Sequence, residues 1–486
     1  MPTTVNRRRS LDLVPVIAVL AACAMPAIGQ VAGAEPAFDG ARSAQGQSSP
    51  EAPEIQLLQP ASAGQAAPLT LTLKDALERA RQNDTTYLAA VTDARSAHED
   101  RIQARAALLP AVSTTTQELL TNGGSILPTG RFVTNDGVHV YRAWGVVHED
   151  LSPNLFTLNG YRRASAAEAL ALAKAEIATR GLTVTVTQYY YALLVAQRKY
   201  GTAQQSRDQA RQFYQDTQDR EKGGEAAHAD VIKAEIQLEE QRQALEEARL
   251  AMEDARLNLA VLLFPTLNEN FSVVDDLDQA PALPSFAESR DMAMNSNPDL
   301  KAAVEALRVA SADVSAARQS FLPTLSIEAD YGIEANEFAL RGEVSGASPD
   351  ERGLQQNNLG EFVTFNLQFP VWDWGNLRSK LHQSEFRRQQ ARVELTYAQR
   401  KLIQDLYSSY NEAQVSGAAV DRLRQTAELA DESLRLAALR YRAGEATALE
   451  VVDAQGTLAQ ARNAYDDGQA RYRLALAQLQ TLTGRF

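Results

Sequence analysis

Arg220-Glu221-Lys222-Gly223-Gly224-Glu225-Ala226-Ala227-His228-Ala229-Asp230-Val231 and Arg440-Tyr441-Arg442-Ala443-Gly444-Glu445-Ala446-Thr447-Ala448-Leu449-Glu450-Val451 read as one turn written twice. Arg, Gly, Glu, Ala and Val fall at the same places, and the match continues to Ala234 and Ala454. Upstream, at a slightly shorter offset, Thr72-x-x-Asp75 and Ser285-x-x-Glu288 are both capping-box-like helix starts. Ala89-Ala90 then answers Ala302-Ala303, Ala104-Arg105 answers Ala317-Arg318, Leu109-Pro110 answers Leu322-Pro323, and Ser113 answers Ser326. Any one match could be chance, but an ordered series makes two tandem structural repeats, residues 69–283 and 284–486.

Around the repeated turn the chain lacks the main helix breaker. Of 18 prolines, none lies between Pro153 and Pro265 and none after Pro370. The pattern predicts very long helices over Tyr161–Arg220 and Asn376–Arg442, each followed past the turn by another, over Ala226–Leu263 and Thr447–Leu482. The last pair carries apolar stripes in steps of three and four. One runs Val231, Ala234, Leu238, Leu245, Ala248, Met252, Ala255, Leu259 and Leu262; the other runs Val451, Ala454, Leu458, Tyr465, Gly468, Tyr472, Ala475, Leu479 and Leu482. That spacing is a coiled-coil seam. At the α-helical rise, a helix of ~60 residues spans roughly 90 Å, which suits bridging a distance better than forming one core. Each unit opens with a short helix, Thr72–Asn83 or Ser285–Ser296, and a longer one ending at Leu109 or Leu322 before a proline.

Strands follow those prolines. Val363, Phe365, Leu367 and Phe369 alternate with Thr364, Asn366 and Gln368, and Leu325, Ile327, Ala329, Tyr331 and Ile333 alternate with Ser326, Glu328, Asp330 and Gly332. The first unit has a weaker pair over Val112–Leu119 and Val138–Glu149. Strands of about ten residues match a membrane-spanning β-strand. Four cannot close a barrel with a lumen, and open edges cannot face lipid, so the strands are expected to share one barrel among subunits. Three chains give twelve strands, inside the known range of such barrels.

Composition narrows the function. A net charge of −13 and a pI near 5.1 argue against nucleic acid as a partner. With Cys23 as the only cysteine, no intrachain disulfide and no all-cysteine zinc site can form. The five histidines lack metal-ligand spacing, and no nucleophile elbow, P-loop, HExxH or CxxC is present, so neither enzyme nor cofactor is expected. Arg7, Arg8 and Arg9 before the apolar run Leu13–Ala22 form a secretory signal. It ends at Ala32-Gly33-Ala34, giving residues 1–34, or at the lipobox-like Leu20-Ala21-Ala22-Cys23, giving residues 1–22 and a lipidated Cys23. Residues 35–68, rich in Ala, Gln, Ser, Pro and Gly, read as a flexible linker. The competing class is a secreted coiled-coil structural or adhesion protein, which would not need alternating strands at the same place in both repeats.

Over residues 69–486 the chain resembles the TolC-like outer-membrane efflux proteins. The resemblance is carried by Leu73-Lys74-Asp75-Ala76-Leu77, by Ala107-Leu108-Leu109-Pro110 with Ser320-Phe321-Leu322-Pro323, by Pro370-Val371-Trp372-Asp373-Trp374-Gly375, and by Arg440 through Thr447. Asn154 through Gly160 departs from the aromatic-Asp-Gly pattern usual at that strand-to-helix turn. The resemblance implies a mostly α fold with β: a homotrimer whose twelve-stranded outer-membrane barrel, four strands per subunit, continues as a long periplasmic α-helical barrel. It implies an exit duct working with a periplasmic adaptor and an inner-membrane pump of the RND or ABC type, in contact with outer-membrane lipid. It also implies that the repeated turns are the periplasmic tip. There Asp230, Tyr441, Glu450 and Asp453 would form the aperture, and Gly224 and Gly444 the turns where the adaptor docks, with Tyr441 bonding to Asp230. One family arginine falls on Ala446. Read by residue type alone, the glycines supply turn geometry and Thr447 with Glu450 a capping box. Trp372 and Trp374 suit an interfacial aromatic belt, or packing at the barrel-to-helix junction.

Overall fold

The structure, a computed structural model, describes residues 69–120, 139–267, 270–279, 281–335, 338–343 and 355–484. The signal segment, Cys23 and residues 35–68 lie outside them. In chain order the first elements are β1 (Leu69–Leu71), α1 (Leu73–Asn83), α2 (Thr85–Ala106), β2 (Ala111–Leu120), β3 (His139–Asp150), α3 (Pro153–Thr157), α4 (Asn159–Lys222), α5 (His228–Leu263) and β4 (Phe271–Val273). They continue as α6 (Phe286–Ser296), α7 (Pro298–Gln319), β5 (Thr324–Ala335), β6 (Arg341–Glu343), β7 (Gln355–Asn357), β8 (Leu359–Gln368), α8 (Asn376–Arg442) and α9 (Ala448–Thr483).

The expected helices form, with ends set by local chemistry. Thr72 and Asp75 close a reciprocal capping box on α1, and Ser285 accepts from the Glu288 amide at the start of α6. α2 stops at Ala106 and α7 at Gln319, three residues short of the expected ends, because turns precede Pro110 and Pro323. α4 has 64 residues and α8 has 67, so each runs about 100 Å. At the strand-to-helix turn ahead of α8, Asp373 accepts from the amides of Gly375 and Leu377 at 3.0 and 2.6 Å. Ahead of α4, the Asn154 side chain accepts from the Gly160 amide at 2.6 Å instead, and α3 fills the turn. The departure from the aromatic-Asp-Gly pattern is thus a different side chain doing the same capping.

Four strands make one antiparallel sheet in the order β2-β3-β5-β8. Directly paired residues share a face. One face carries Gln117, Arg142 and Glu334, and Arg142 bonds to both neighbours. The other aligns Val112, Val147, Ala329 and Val363, then Ile327 with Phe365 and Leu325 with Leu367. Phe365 and Leu367 are 67% and 68% exposed. The edges β2 and β8 have no partner among the described residues.

Three short pieces escape periodicity. β1 and β4 form a parallel pair joining residues two hundred positions apart, too short to alternate visibly. β6 and β7 pair within the connection between β5 and β8. α3 is a single turn between strand and long helix. The largest apolar cluster sits against the β1–β4 pair, where Leu71, Ala80, Tyr190, Leu194, Leu259 and Phe271 are buried. The Tyr190 hydroxyl donates to the Val274 carbonyl at 2.7 Å, and burial first, then Asp276, pushes that phenol up to about 12. In the second half Ala293, Leu402, Leu406 and Leu479 cluster together. Ala80 and Ala293 are both buried, and so are Leu259 and Leu479.

Candidate functional site

The two turns that opened the sequence reading end α4 and α8 in the same way. Gly224 at φ 76° and Gly444 at φ 78° are left-handed. The Gly224 amide donates to the Glu221 carbonyl at 2.9 Å and the Glu225 amide to that of Arg220 at 2.8 Å. In the second turn Gly444 donates to Tyr441 at 3.0 Å and Glu445 to Arg440 at 2.9 Å. Both are Schellman closures, which need the left-handed residue and so select glycine. The next helices start differently. Thr447 and Glu450 cap α9 reciprocally, whereas Ala227 gives α5 no side-chain cap.

These turns are packed together by one small core. Phe213 on α4, Ala234 on α5, Tyr441 on α8 and Ala448, Val451 and Val452 on α9 are buried against each other, and half-buried Ala446 packs beside them. Tyr441 is 8% exposed, with its ring centroid 5.1 Å from that of Phe213. Its hydroxyl donates to Thr217 Oγ1 at 3.4 Å, and Thr217 in turn donates to the Phe213 carbonyl at 2.7 Å. The expected bond from Tyr441 to Asp230 is therefore not the one made. The hydroxyl is held inside the core by α4, while Asp230 lies in the first turn of α5.

The acids divide. Glu450 is engaged, bonding Thr447 and accepting from Arg440 Nη1 at 3.1 Å. That matches the capping chemistry read from residue type. Asp453 is exposed, and among the described residues its carboxylate and that of Asp230 have no side-chain partner. The dipole favours the Asp230 carboxylate, in the first turn of α5, and both acids remain available to a cation or a partner.

Sequence reading passed over Arg220 as a site residue. Its guanidinium crosses to the other turn, donating to the carbonyls of Tyr441 at 3.2 Å and Arg442 at 3.0 Å, with Cζ 5.3 Å from the Tyr441 ring centroid. Its only sequence signal was recurrence as Arg440, and the two arginines take different partners. A second polar hub lies well away from the turns. Arg198 on α4 bonds Asp275 at 2.7 and 2.8 Å, Asp278 at 3.1 Å, Asp466 at 3.0 Å and Gln469 at 2.9 Å. It ties the segment after β4 to α4 and α9. At the strand-to-helix turn, Trp372 and Trp374 are exposed and stand edge to face at 5.6 Å. Among the described residues no cluster of His, Cys, Asp and Glu could hold a metal ion, and no helix is long and apolar enough to cross a membrane.

Residues 290–485 match the family model for outer membrane efflux protein. The chain is 27% identical over 430 residues to the pyoverdine export outer membrane protein OpmQ of Pseudomonas aeruginosa, covering 85% of this chain and 84% of that protein. It is 28% identical over 174 residues to the outer membrane protein TolC of Escherichia coli, covering 35% and 34%. Its fold is that of the CmeC outer membrane channel of Campylobacter jejuni, with a TM-score of 0.72 and 15% identity over 85% of each chain.

Proposed function

Because this chain belongs to the TolC-like outer-membrane efflux proteins, we propose that it is the outer-membrane exit duct of a tripartite efflux or type I secretion system. It resides in the outer membrane of a Gram-negative bacterium and extends into the periplasm. Substrates reach it from an inner-membrane pump, of the RND or ABC class, through a periplasmic adaptor. The family consists of transport channels, and the wall of this one does no chemistry.

The observation that carries the reading is the unfinished surface of the single chain. The four-stranded sheet has two open edges and an exposed apolar face, neither of which survives alone in lipid or in water. Phe386, Val393, Tyr397, Tyr407, Val415, Leu429 and Leu436 leave a further apolar stripe exposed along α8. Three copies complete both: β2 of one pairs with β8 of the next in a twelve-stranded barrel, and the stripes become helix–helix seams. The exposed Trp372 and Trp374 suit the lipid headgroup level.

In this reading the repeated turns are the periplasmic tip, with Gly224 and Gly444 shaping the adaptor-docking turns. Asp230, Glu450 and Asp453 line the aperture, and Tyr441 sets the position of the turn that carries the last two. Single-channel recording of the detergent-purified trimer in planar bilayers tests it. Multivalent cations added on the periplasmic side should block the wild type, and Asp453→Ala should relieve that block. A stable monomer with full β content, or block that Asp453→Ala leaves unaltered, would contradict the reading.

A further inference from the structure

Arg220 and Arg440 occupy the same place, four residues ahead of a left-handed glycine. Arg440 stays within its own hairpin, donating to Glu450 at 3.1 Å and to the Glu445 carbonyl at 3.1 Å. Arg220 leaves its hairpin. In the turn after α8 the carbonyls of Leu439, Arg440 and Tyr441 are taken by the amides of Ala443, Glu445 and Gly444. The carbonyl of Arg442 goes to Arg220, which also shares that of Tyr441. The planar fork therefore closes the end of α8, where orphan carbonyls and the helix dipole favour a cation, while the same plane covers the Tyr441 ring.

We propose that Arg220 is a positioning residue of the aperture: it clamps the end of the α4–α5 hairpin onto the end of the α8–α9 hairpin and holds the tip closed. The inference rests on the aperture reading above. The clamp joins the two turns without a carboxylate, so it does not compete with a cation attracted to Asp230 or Asp453. It is also a geometric match and not merely a charge. Two carbonyls and one ring face are met at once by a rigid fork with five donors, which a lysine ammonium cannot reproduce. Phe213, Thr217 and Arg220, at successive turns of one face of α4, all hold Tyr441, so α8 cannot leave α4 without breaking the clamp.

The test uses full-length trimers in planar bilayers, with Arg220→Ala, Arg220→Lys, Arg435→Ala and Asp453→Ala compared. Arg220→Ala should raise single-channel conductance at least twofold, and Arg220→Lys should fall between it and wild type. Arg435→Ala, which loses as many hydrogen bonds, both to Glu432 on its own helix, should keep wild-type conductance. Trimers on unheated gels and thermal midpoints should stay alike among the arginine variants, which separates an open tip from general loosening. If Arg220→Ala matches Arg435→Ala while Asp453→Ala still relieves cation block, the clamp is wrong and the aperture stands. If Asp453→Ala relieves nothing and no variant changes conductance, both readings fail. Should Arg220→Ala not assemble, wild-type conductance in Arg220→Lys overturns the proposal.

Discussion

Replacing Arg198 by methionine removes the hub that ties the segment after β4 to α4 and α9, and its cost divides unevenly among its acids. Asp275 and Asp278 have side chains 42% and 65% exposed, so water replaces most of what they lose, about 0–1 kcal/mol each. Asp466 is 7% exposed and sits on α9 against α4. Burial already holds its carboxyl above the usual range, partly offset by the hydrogen bond from Arg198. Breaking a buried pair from one side costs about 3–5 kcal/mol, because a charge is left without a counterpart. Since the Arg198 side chain is itself 22% exposed, roughly 2–3 kcal/mol is expected. The pH dependence identifies the cause. A carboxyl whose folded pKa is raised destabilises the folded state when ionised, and that penalty disappears as pH falls through the folded pKa toward the unfolded one. Arg198→Met should therefore lie far below wild type at pH 7 and recover much of the difference near pH 4. Adding Asp466→Asn should recover it at pH 7. The assay is the midpoint of thermal loss of helical circular dichroism at a fixed scan rate, with wild type run at each pH. Asp278, held low by Gln469 first and also by Arg198, adds stability that is full above the unfolded pKa and is lost as pH falls through the folded one, and it changes with Arg198 too, so the Asp466→Asn arm assigns the deficit to Asp466. An Arg198→Met deficit equal at both pH values, and untouched by Asp466→Asn, would show that the Asp466 carboxylate is not its source.

Leu259→Asp places a carboxylate at a wholly buried position beside Tyr190 and Leu263, costing several kcal/mol, and should abolish the trimer on unheated gels. Glu247→Lys, on the exposed side of the same helix, should leave it intact, and equal behaviour of the two would mean the register is misjudged. Tyr441→Phe deletes the 3.4 Å hydrogen bond and should cost about 0.5–1.5 kcal/mol; Thr217→Val deletes it together with the 2.7 Å bond from Thr217 to the Phe213 carbonyl and should cost more. Combined, they should cost scarcely more than Thr217→Val alone in thermal midpoint. Full additivity would show that the hydroxyl acts elsewhere.

Much of the architecture was written in local pattern. The capping residues Thr72, Ser285 and Thr447 start their helices, and the glycines at 224 and 444 end theirs, because these effects act within one helical turn. Val231, Ala234, Leu238 and Leu259, with Val451, Leu458, Ala475 and Leu479, are buried as their spacing demanded. Alternation located the strands β5 and β8 because successive side chains point to opposite faces of a strand. What the tertiary structure alone decided is where side chains reach once distant segments meet. The β1–β4 pair joins three-residue strands, too short for any period to register. Arg220 and Arg440 are interchangeable as letters, yet one crosses between hairpins and the other closes its own turn. Tyr441 turns to Thr217 and not to Asp230 because a ring packed on Phe213 leaves its hydroxyl only that direction. A residue's own neighbours along the chain set its backbone; the partner of a long polar side chain depends on which helix lies across from it, and no local period encodes that.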